Sequence, residues 1–310
     1  MIDILNCKKK ALILSCEKDE KITGSSDNQF VKVHKDLLGD LLDALKSGKT
    51  TSMTYLNNVI KNGECPEYVM CKLKVMRNEG RITPQERLNN ELVASNMAEL
   101  FKLPHAYPIA AKNGDDPCLL TVDMKPENGK FYTLFQFTNN DDLNMYNSIE
   151  EHLSLAYKVF FKRAKELGVQ DIFGYVDKRI SNLAKQLFFK KYVMGDGDSG
   201  GHNIGVVEDE SGFDISGLFD AEQSFSNRMS EDALRKDMEF LSKRYPQVLN
   251  DLLQSTSALL KGGFKKIKDA VNSVENINDK LAGQMVLFVV QNLTSIDVMA
   301  REIQEEKSNY

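Results

Sequence analysis

The sequence lacks most of what would mark a metal-built, disulfide-stapled or membrane-spanning protein. Its five cysteines, Cys7, Cys16, Cys65, Cys71 and Cys118, are odd in number and irregular in spacing. Cys65 and Cys71 are too far apart for a C-x-x-C pair, so neither a zinc site nor a disulfide framework is expected, and a reducing cytoplasmic compartment fits better. The four histidines, at 34, 105, 152 and 202, are scattered. No run approaches the about 20 apolar residues of a membrane span; the longest, Met285 to Val290, reads as a buried helix segment. The start, MIDILNCKKKALILSC, has no basic opening, long apolar stretch or small-residue cleavage site, so it is not read as a secretory signal. Positive charge is not in excess: the formal net charge is -5, which argues against nucleic acid as the main partner. Internal repeats and long low-complexity linkers are absent too. What remains is ordinary for a globular chain with a sizeable core: 310 residues, 42% hydrophobic and 27% charged, in one large or two smaller domains.

One stretch carries chemistry, Tyr192 to Phe225, YVMGDGDSGGHNIGVVEDESGFDISGLFDAEQSF. Asp198 and Asn203 are spaced D-x-x-x-x-N in a loop with glycines at 195, 197, 200, 201 and 205. Asp220 follows after an expected hairpin. Phosphoryl transfer uses these residue types in this order: one carboxylate accepts the proton of the attacking hydroxyl, then an amide oxygen and a second carboxylate hold the magnesium that bridges the ATP phosphates. The spacing is that of the protein-kinase catalytic loop, with Asp220 in the place of the metal-binding Asp. A polar, glycine-rich turn rich in Asp and Asn is the plainer alternative.

The flanking chain divides into a strand-rich first part and a helical second part. Residues 10–17 and 29–34 read as strands, and leucines at 37, 38, 41, 42 and 45 mark a helix ended by Gly48. Ser47-Gly48-Lys49-Thr50 is not a phosphate-binding P-loop, because Asp43 stands where that motif needs glycine. The small polar loop 47–52 could still cover a nucleotide through backbone amides. Residues 68–76, YVMCKLKVM, read as a buried strand with Lys72 and Lys74 on one face. The helix at 86–102 follows, with Glu91 beside its apolar stripe. A strand lysine answered by a glutamate of the next helix is the ion pair that orients ATP phosphates; Lys72 is the first choice and Lys74 the second. Strands at 118–124 and 131–137 follow. The second leads to a hinge at Gln136, Phe137 and Thr138, which would hold adenine by backbone hydrogen bonds. The polar run 139–142 marks a boundary between parts at 1–138 and 139–310. Ser148 to Glu151 is a capping box, and further helices are expected near 178–194, 230–244, 246–260 and 276–305.

With these residues assembled, the chain resembles the HipA-like branch of the protein-kinase-like fold. That family's loop reads roughly G-x-x-D-x-H-x-x-N, followed after a hairpin by a metal-binding Asp, and Gly195, Asp198, Asn203 and Asp220 align with it. YVMCKL is similar to the strand carrying the ATP lysine, and NNELVASNMAELFKLP to the helix after it. The resemblance covers about 60–230 and implies a two-lobed α+β kinase, strand-rich N-lobe and helical C-lobe, using ATP and Mg2+ on serine or threonine. It implies Asp198 as catalytic base, Asn203 and Asp220 as magnesium ligands, and Lys72 with Glu91 as phosphate clamp. It also implies Ser47, Thr50, Thr51 or Ser52 as an autophosphorylation site. Relatives include toxins of toxin–antitoxin systems and secreted effectors, so a protein substrate, a cognate inhibitor or antitoxin, and a bacterial or host cytoplasm are implied. The chain departs from the pattern where Gly200 stands in place of the family's histidine. His202 either takes over its positioning role near the nucleotide or is a plain loop residue. Asp196 is a rival base at a poorer spacing. Two other readings stay open: a small-molecule or phosphoinositide kinase on the same fold, and a pseudokinase that binds nucleotide or a partner without turnover.

Overall fold

The computed structural model describes residues 2–3, 11–14, 28–39, 67–78, 82–122, 129–138, 148–197, 200–218, 220–227 and 230–308. The N-terminal part is a six-stranded sheet of β1 (Ile2–Asp3), β2 (Ala11–Leu14), β3 (Asn28–His34), β4 (Tyr68–Val75), β5 (Ile109–Asn113) and β6 (Asp116–Val122). Its order is β1-β5-β6-β4-β3-β2, and only β1 and β5 run parallel. Alternation explains its two faces. Val69, Cys71 and Leu73 of β4 are buried with Val31, Val33, Ala111, Cys118, Leu120 and Val122, beside Leu38 from a short 3-10 turn, Lys35–Leu38. That register turns Lys72 and Lys74 to the other face, opposite Thr121 and Leu119. β5 has no counterpart in the sequence reading, because IAAKN is short and its alanines carry little strand preference.

Helix α1 (Pro84–Leu100) follows β4 and begins as its sequence dictates, with Thr83 and Glu86 capping each other's backbone and Pro84 at its start. Leu88 packs with Met76 and Leu119 against the lysine-bearing face of the sheet. Val93, Met97 and Phe101 enter the helical core, where the Phe101 ring lies 5.3 Å from Phe189. Between these apolar faces, Arg87, Asn90 and Glu91 are buried as well, so they need partners.

The chain then departs from expectation. The strand expected over 131–137 is only β7 (Lys130–Thr133), and Leu134–Thr138 is a helical turn, α2. β7 does not join the six-stranded sheet. It pairs antiparallel with β8 (Gly205–Asp209), which pairs with β9 (Gly212–Ile215). Thr133 N–H donates to Gln136 Oε1 at 2.9 Å and Gln136 N–H to Thr133 Oγ1 at 3.1 Å, a local cap that turns the strand into α2. The Phe137 ring is 5.7 Å from Phe160 and 5.3 Å from Phe213, inside the second part's core. Residues 130–138 therefore pack with the C-terminal part, not with the N-terminal part of 1–138. Val122 ends the six-stranded sheet's β6 and Lys130 begins β7, both ahead of the hinge expected at Gln136, Phe137 and Thr138.

The C-terminal part is built from α3 (Ile149–Glu166), α4 (Ile172–Phe188), α5 (Glu231–Arg244), α6 (Pro246–Lys261), α7 (Lys265–Asn272) and α8 (Asp279–Ser308). Ser148 and Glu151 form the capping box of α3. Asp237 of α5 ties the bundle together: it accepts from Ile149 N–H at 3.1 Å and from Tyr192 Oη–H, and pairs with Lys191 Nζ at 3.1 Å. Helix α8 is long and apolar enough to cross a membrane by length and composition. Here, however, Met285, Val289, Leu293 and Ile296 are buried against the bundle, and Asn292 donates to Val193 O at 3.2 Å, as befits an amphipathic core helix.

Candidate active site

The site begins where α4 ends. Its last turn widens into a π-type turn, Phe189–Val193, closed by Met194 N–H on Phe189 O at 3.0 Å; such turns recur at functional sites. The turn directs Lys190 inward, with its side chain 1% exposed. The Lys190 ammonium lies 3.3 Å from the Asp196 carboxylate and donates to two backbone carbonyls, Asn203 O at 3.3 Å and Asp220 O at 3.1 Å. One buried cation thus brings together the loops carrying both expected magnesium ligands. Asp196, the rival base, is buried beside this ammonium. Nothing in the motif spacing pointed to Lys190; the signal available was a lysine pair, Lys190-Lys191, interrupting an apolar run.

The loop after Lys190 lies alongside the segment beyond Asp220. Gly197 N–H donates to Gln223 O at 3.2 Å, Phe225 N–H to Met194 O at 2.8 Å and Asn227 N–H to Gly195 O at 3.0 Å. Gly195 has φ +56, and a Cβ there would sit 2.6 Å from Asn227 O, so both its backbone angle and its neighbour require glycine. Asn203 is buried and closes a 3-10 turn, Gly201–Asn203, through its N–H on Gly200 O at 3.0 Å. His202 of the same turn is exposed, its ring 4.2 Å from Phe135 of α2. Asp198, the expected base, lies outside the described residues, as do Ser52 and the whole of 47–52.

Asp220 sits at φ +55. Asp tolerates this left-handed conformation better than most residues, and non-glycine residues held there cluster at functional sites. The approach is fixed by Leu218, whose N–H donates to Pro104 O and whose carbonyl accepts from Ala106 N–H, both at 2.8 Å. The carboxylate meets a lysine of the first sheet: Lys74 Nζ donates to Asp220 Oδ1 at 2.7 Å. The same ammonium is ion-paired with Glu222 Oε2 at 2.9 Å. Glu222 Oε1 is held in turn by Arg87 of α1, whose other terminal nitrogen donates to Arg77 O at 2.8 Å. Asn90 Nδ2 donates to Glu222 O at 2.9 Å and Ser224 O at 3.1 Å. Glu91 accepts from Ala221 N–H. The polar face of α1 therefore grips the loop from Ala221 to Ser224.

The arrangement bears on two of the expected residues, Lys72 and Glu91. The lysine on Asp220 is Lys74, the second choice. Lys72, one strand repeat away, acts on Asp220 through its charge, whereas Lys74 lies toward the β4 end on which α1 and its Leu88 pack. Among the described residues Glu91 forms no ion pair with Lys72. Burial, then the charge of Asp220, push the Glu91 carboxyl up to about 8, against the opposing pull of Lys74 and Lys190. A carboxyl that is neutral near pH 7 serves as a backbone acceptor and not as a counter-ion. Asp220 behaves oppositely: burial alone would raise it, but Lys74, backed by Lys190 and Lys72, holds it below the usual carboxylate range. Burial likewise opposes charge on Lys74, and Asp220 and Glu222 more than reverse this.

Asn203 and Asp220 are the described residues that could hold magnesium. Both offer hard oxygen donors, Asp220 is ionised, and its side chain is 31% exposed. Mg2+ takes few protein ligands and keeps waters or phosphate oxygens for the rest, so this small donor set fits it. Among the described residues no group of three His, Cys, Asp or Glu side chains could cage a metal.

No protein-family model matches the chain, and no curated protein sequence matches it. Solved structures do match. A Helicobacter pylori proinflammatory kinase, CtkA, is similar at a TM-score of 0.57 and 10% identity, over 98% of this chain and 98% of that one. The HipA of a Shewanella oneidensis MR-1 toxin–antitoxin system, solved with HipB and operator DNA, aligns at a TM-score of 0.48 and 10% identity, over 73% of this chain and 57% of that one. At such identities a likeness speaks to architecture. With its strand-rich sheet, its helical part and a lysine–aspartate contact joining them, the chain has a kinase-like fold similar to that of the CtkA structure.

Proposed function

We propose that the chain is an ATP- and magnesium-dependent phosphotransferase that transfers the γ-phosphoryl group to a serine or threonine hydroxyl of a protein. The observation that carries this reading is the 2.7 Å contact between Lys74 and Asp220, made beside the buried cation that holds Asn203 and Asp220 together. In the reaction the bond between γ-phosphorus and the β-phosphate oxygen breaks, the acceptor oxygen bonds to phosphorus, and ADP leaves. Asp198 would take the hydroxyl proton, a role resting on its D-x-x-x-x-N spacing from Asn203. Lys74 would hold the nucleotide phosphates, and Asn203 and Asp220 would hold magnesium. A bound magnesium ion would supply positive charge to offset that of the phosphates. The chain's own contribution is positioning and a fixed field, not covalent chemistry.

A small-molecule acceptor is the second reading, and one observation bears on it. A groove of about 670 Å³ opens in the helical part between α3, α4 and the α5–α6 junction, lined by Tyr157, Asp177, Arg244 and Tyr245 among others. Lys74, Asn203 and Asp220 are not in its lining, so a small acceptor seated there would not meet the proposed magnesium ligands.

The test is transfer of labelled γ-phosphate with magnesium, with and without cell lysate, for the wild type beside Asp198→Ala and Asp220→Ala. Label on protein in the wild type alone supports the proposal, and mapping it tests residues 47–52. ATP binding without label on protein would remove the protein-kinase reading.

A further inference from the structure

We propose that Glu222, and not a glutamate of α1, positions Lys74 for the nucleotide phosphates, so that α1 reaches the lysine through Arg87 and Glu222. This rests on the phosphotransferase reading and deepens it.

The contacts form a continuous chain from α1 to the magnesium site. Arg87 donates to Arg77 O at 2.8 Å and grips Glu222 Oε1; Glu222 Oε2 lies 2.9 Å from Lys74 Nζ; Lys74 donates to Asp220 Oδ1 at 2.7 Å. The side chains of Lys74, Arg87 and Glu222 are 12%, 8% and 10% exposed, so their charges interact with little screening. Along this chain two cations alternate with two carboxylates, and Glu91 of α1 stands outside it, accepting from Ala221 N–H. Asp220 has two tasks that compete, since the carboxylate that holds Lys74 is also the one that takes magnesium. A lysine anchored on Asp220 alone would lose its guide once that carboxylate turned to the metal. Glu222 supplies a second anchor, and its own orientation is fixed by Arg87 on the far oxygen and by Asn90 at the backbone, 2.9 Å away. Glu222 is thus a positioning residue that acts through Lys74.

The experiment is calorimetric titration of the full chain with ATP and with adenosine, both in EDTA, for the wild type, Glu222→Gln and Glu91→Gln, with melting curves for each. Glutamine keeps an oxygen for Arg87 and removes the charge that holds Lys74. Expected is about tenfold weaker ATP binding by Glu222→Gln, with adenosine binding within about twofold of wild type, because only the phosphates meet the lysine. Glu91→Gln, whose side chain is not paired with Lys74, should weaken ATP binding less than Glu222→Gln does. ATP binding unchanged by Glu222→Gln would overturn the proposal and leave the phosphotransferase reading standing. Parallel loss of ATP and adenosine would make Glu222 a structural tie and also overturn it, as would a selective ATP loss in Glu91→Gln equal to or larger than that in Glu222→Gln. A wild type that binds neither ligand would remove the phosphotransferase reading itself, and this inference with it.

Discussion

Lys74 on β4 and Asp220 in the loop beyond β9 meet at 2.7 Å, Nζ to Oδ1, in a charged hydrogen bond between the two parts of the molecule. Lys74→Met should reduce phosphoryl transfer by about 100-fold or more, the scale seen when one preorganised charge is removed from a reacting group. Lys72→Met, one strand repeat away, should reduce it by less than about tenfold. Initial rates of label transfer at saturating and limiting ATP check both, and equal losses would refute the assignment to Lys74.

Lys190 holds a different part of the site, and its loss should be felt in stability first. Lys190→Met leaves Asp196 charged and buried without its ammonium, and takes a donor from the carbonyls of Asn203 and Asp220. About 3–5 kcal/mol of destabilisation is expected. The double variant Lys190→Met, Asp196→Leu should recover part of that loss, since it removes the stranded charge. Urea denaturation of the three proteins measures the coupling.

Glu91 predicts a pH dependence. Its carboxyl is raised in the folded protein to about 8 and titrates near 4.5 in the unfolded chain. Between those values the folded state keeps a proton that the unfolded state has released, so stability falls as pH rises. The contribution is complete below the unfolded value and gone above about 8, and amounts to a few kcal/mol, on the order set by 1.4 kcal/mol per pH unit. Glu91→Gln, which still accepts from Ala221 N–H, should flatten this slope. Melting temperatures from pH 5.5 to 8.5 decide it, and an unchanged slope would count against a neutral Glu91.

Asp237 lies under the bundle and tests stability without chemistry. Asp237→Ala leaves Ile149 N–H and Tyr192 Oη–H without their acceptor and Lys191 without its carboxylate. A cost of about 2–4 kcal/mol is expected. Transfer activity per folded molecule, measured well below the melting temperature, should stay within about twofold of wild type.

Residues close together in sequence were the ones that could be read from it. The Thr83–Glu86 and Ser148–Glu151 boxes are local hydrogen-bond patterns, and β4 and the hairpin of β8 and β9 follow from alternation and turn residues. Such local patterns were legible. Choices that depend on distant geometry were not. Lys72 and Lys74 share a face, and only the packing of α1 on one end of β4 separates them. Glu91 reads as a charged residue, yet the carboxylates and burial around it, which make it a neutral acceptor, come from residues 220 and 222. Glycines 195 and 197 read only as members of a glycine-rich loop. Gly195 is glycine because Asn227 O lies where its side chain would be. Phe131–Phe137 was read as one strand because its alternation runs on past Thr133, and the side-chain cap from Gln136 that ends β7 is invisible to periodicity.

The pairing of β7 with β8 also determines how the molecule can be divided. A fragment beginning at α3 would hold every residue of the hairpin and the whole helical bundle, yet would leave the outer backbone groups of Val206 and Val207 without their neighbours Tyr132 and Phe131. Uncovered edges of that kind invite pairing with other chains. An autonomously folding C-terminal unit therefore has to start before Lys130, and the strip from 130 to 138 travels with the β8–β9 hairpin as its selvedge.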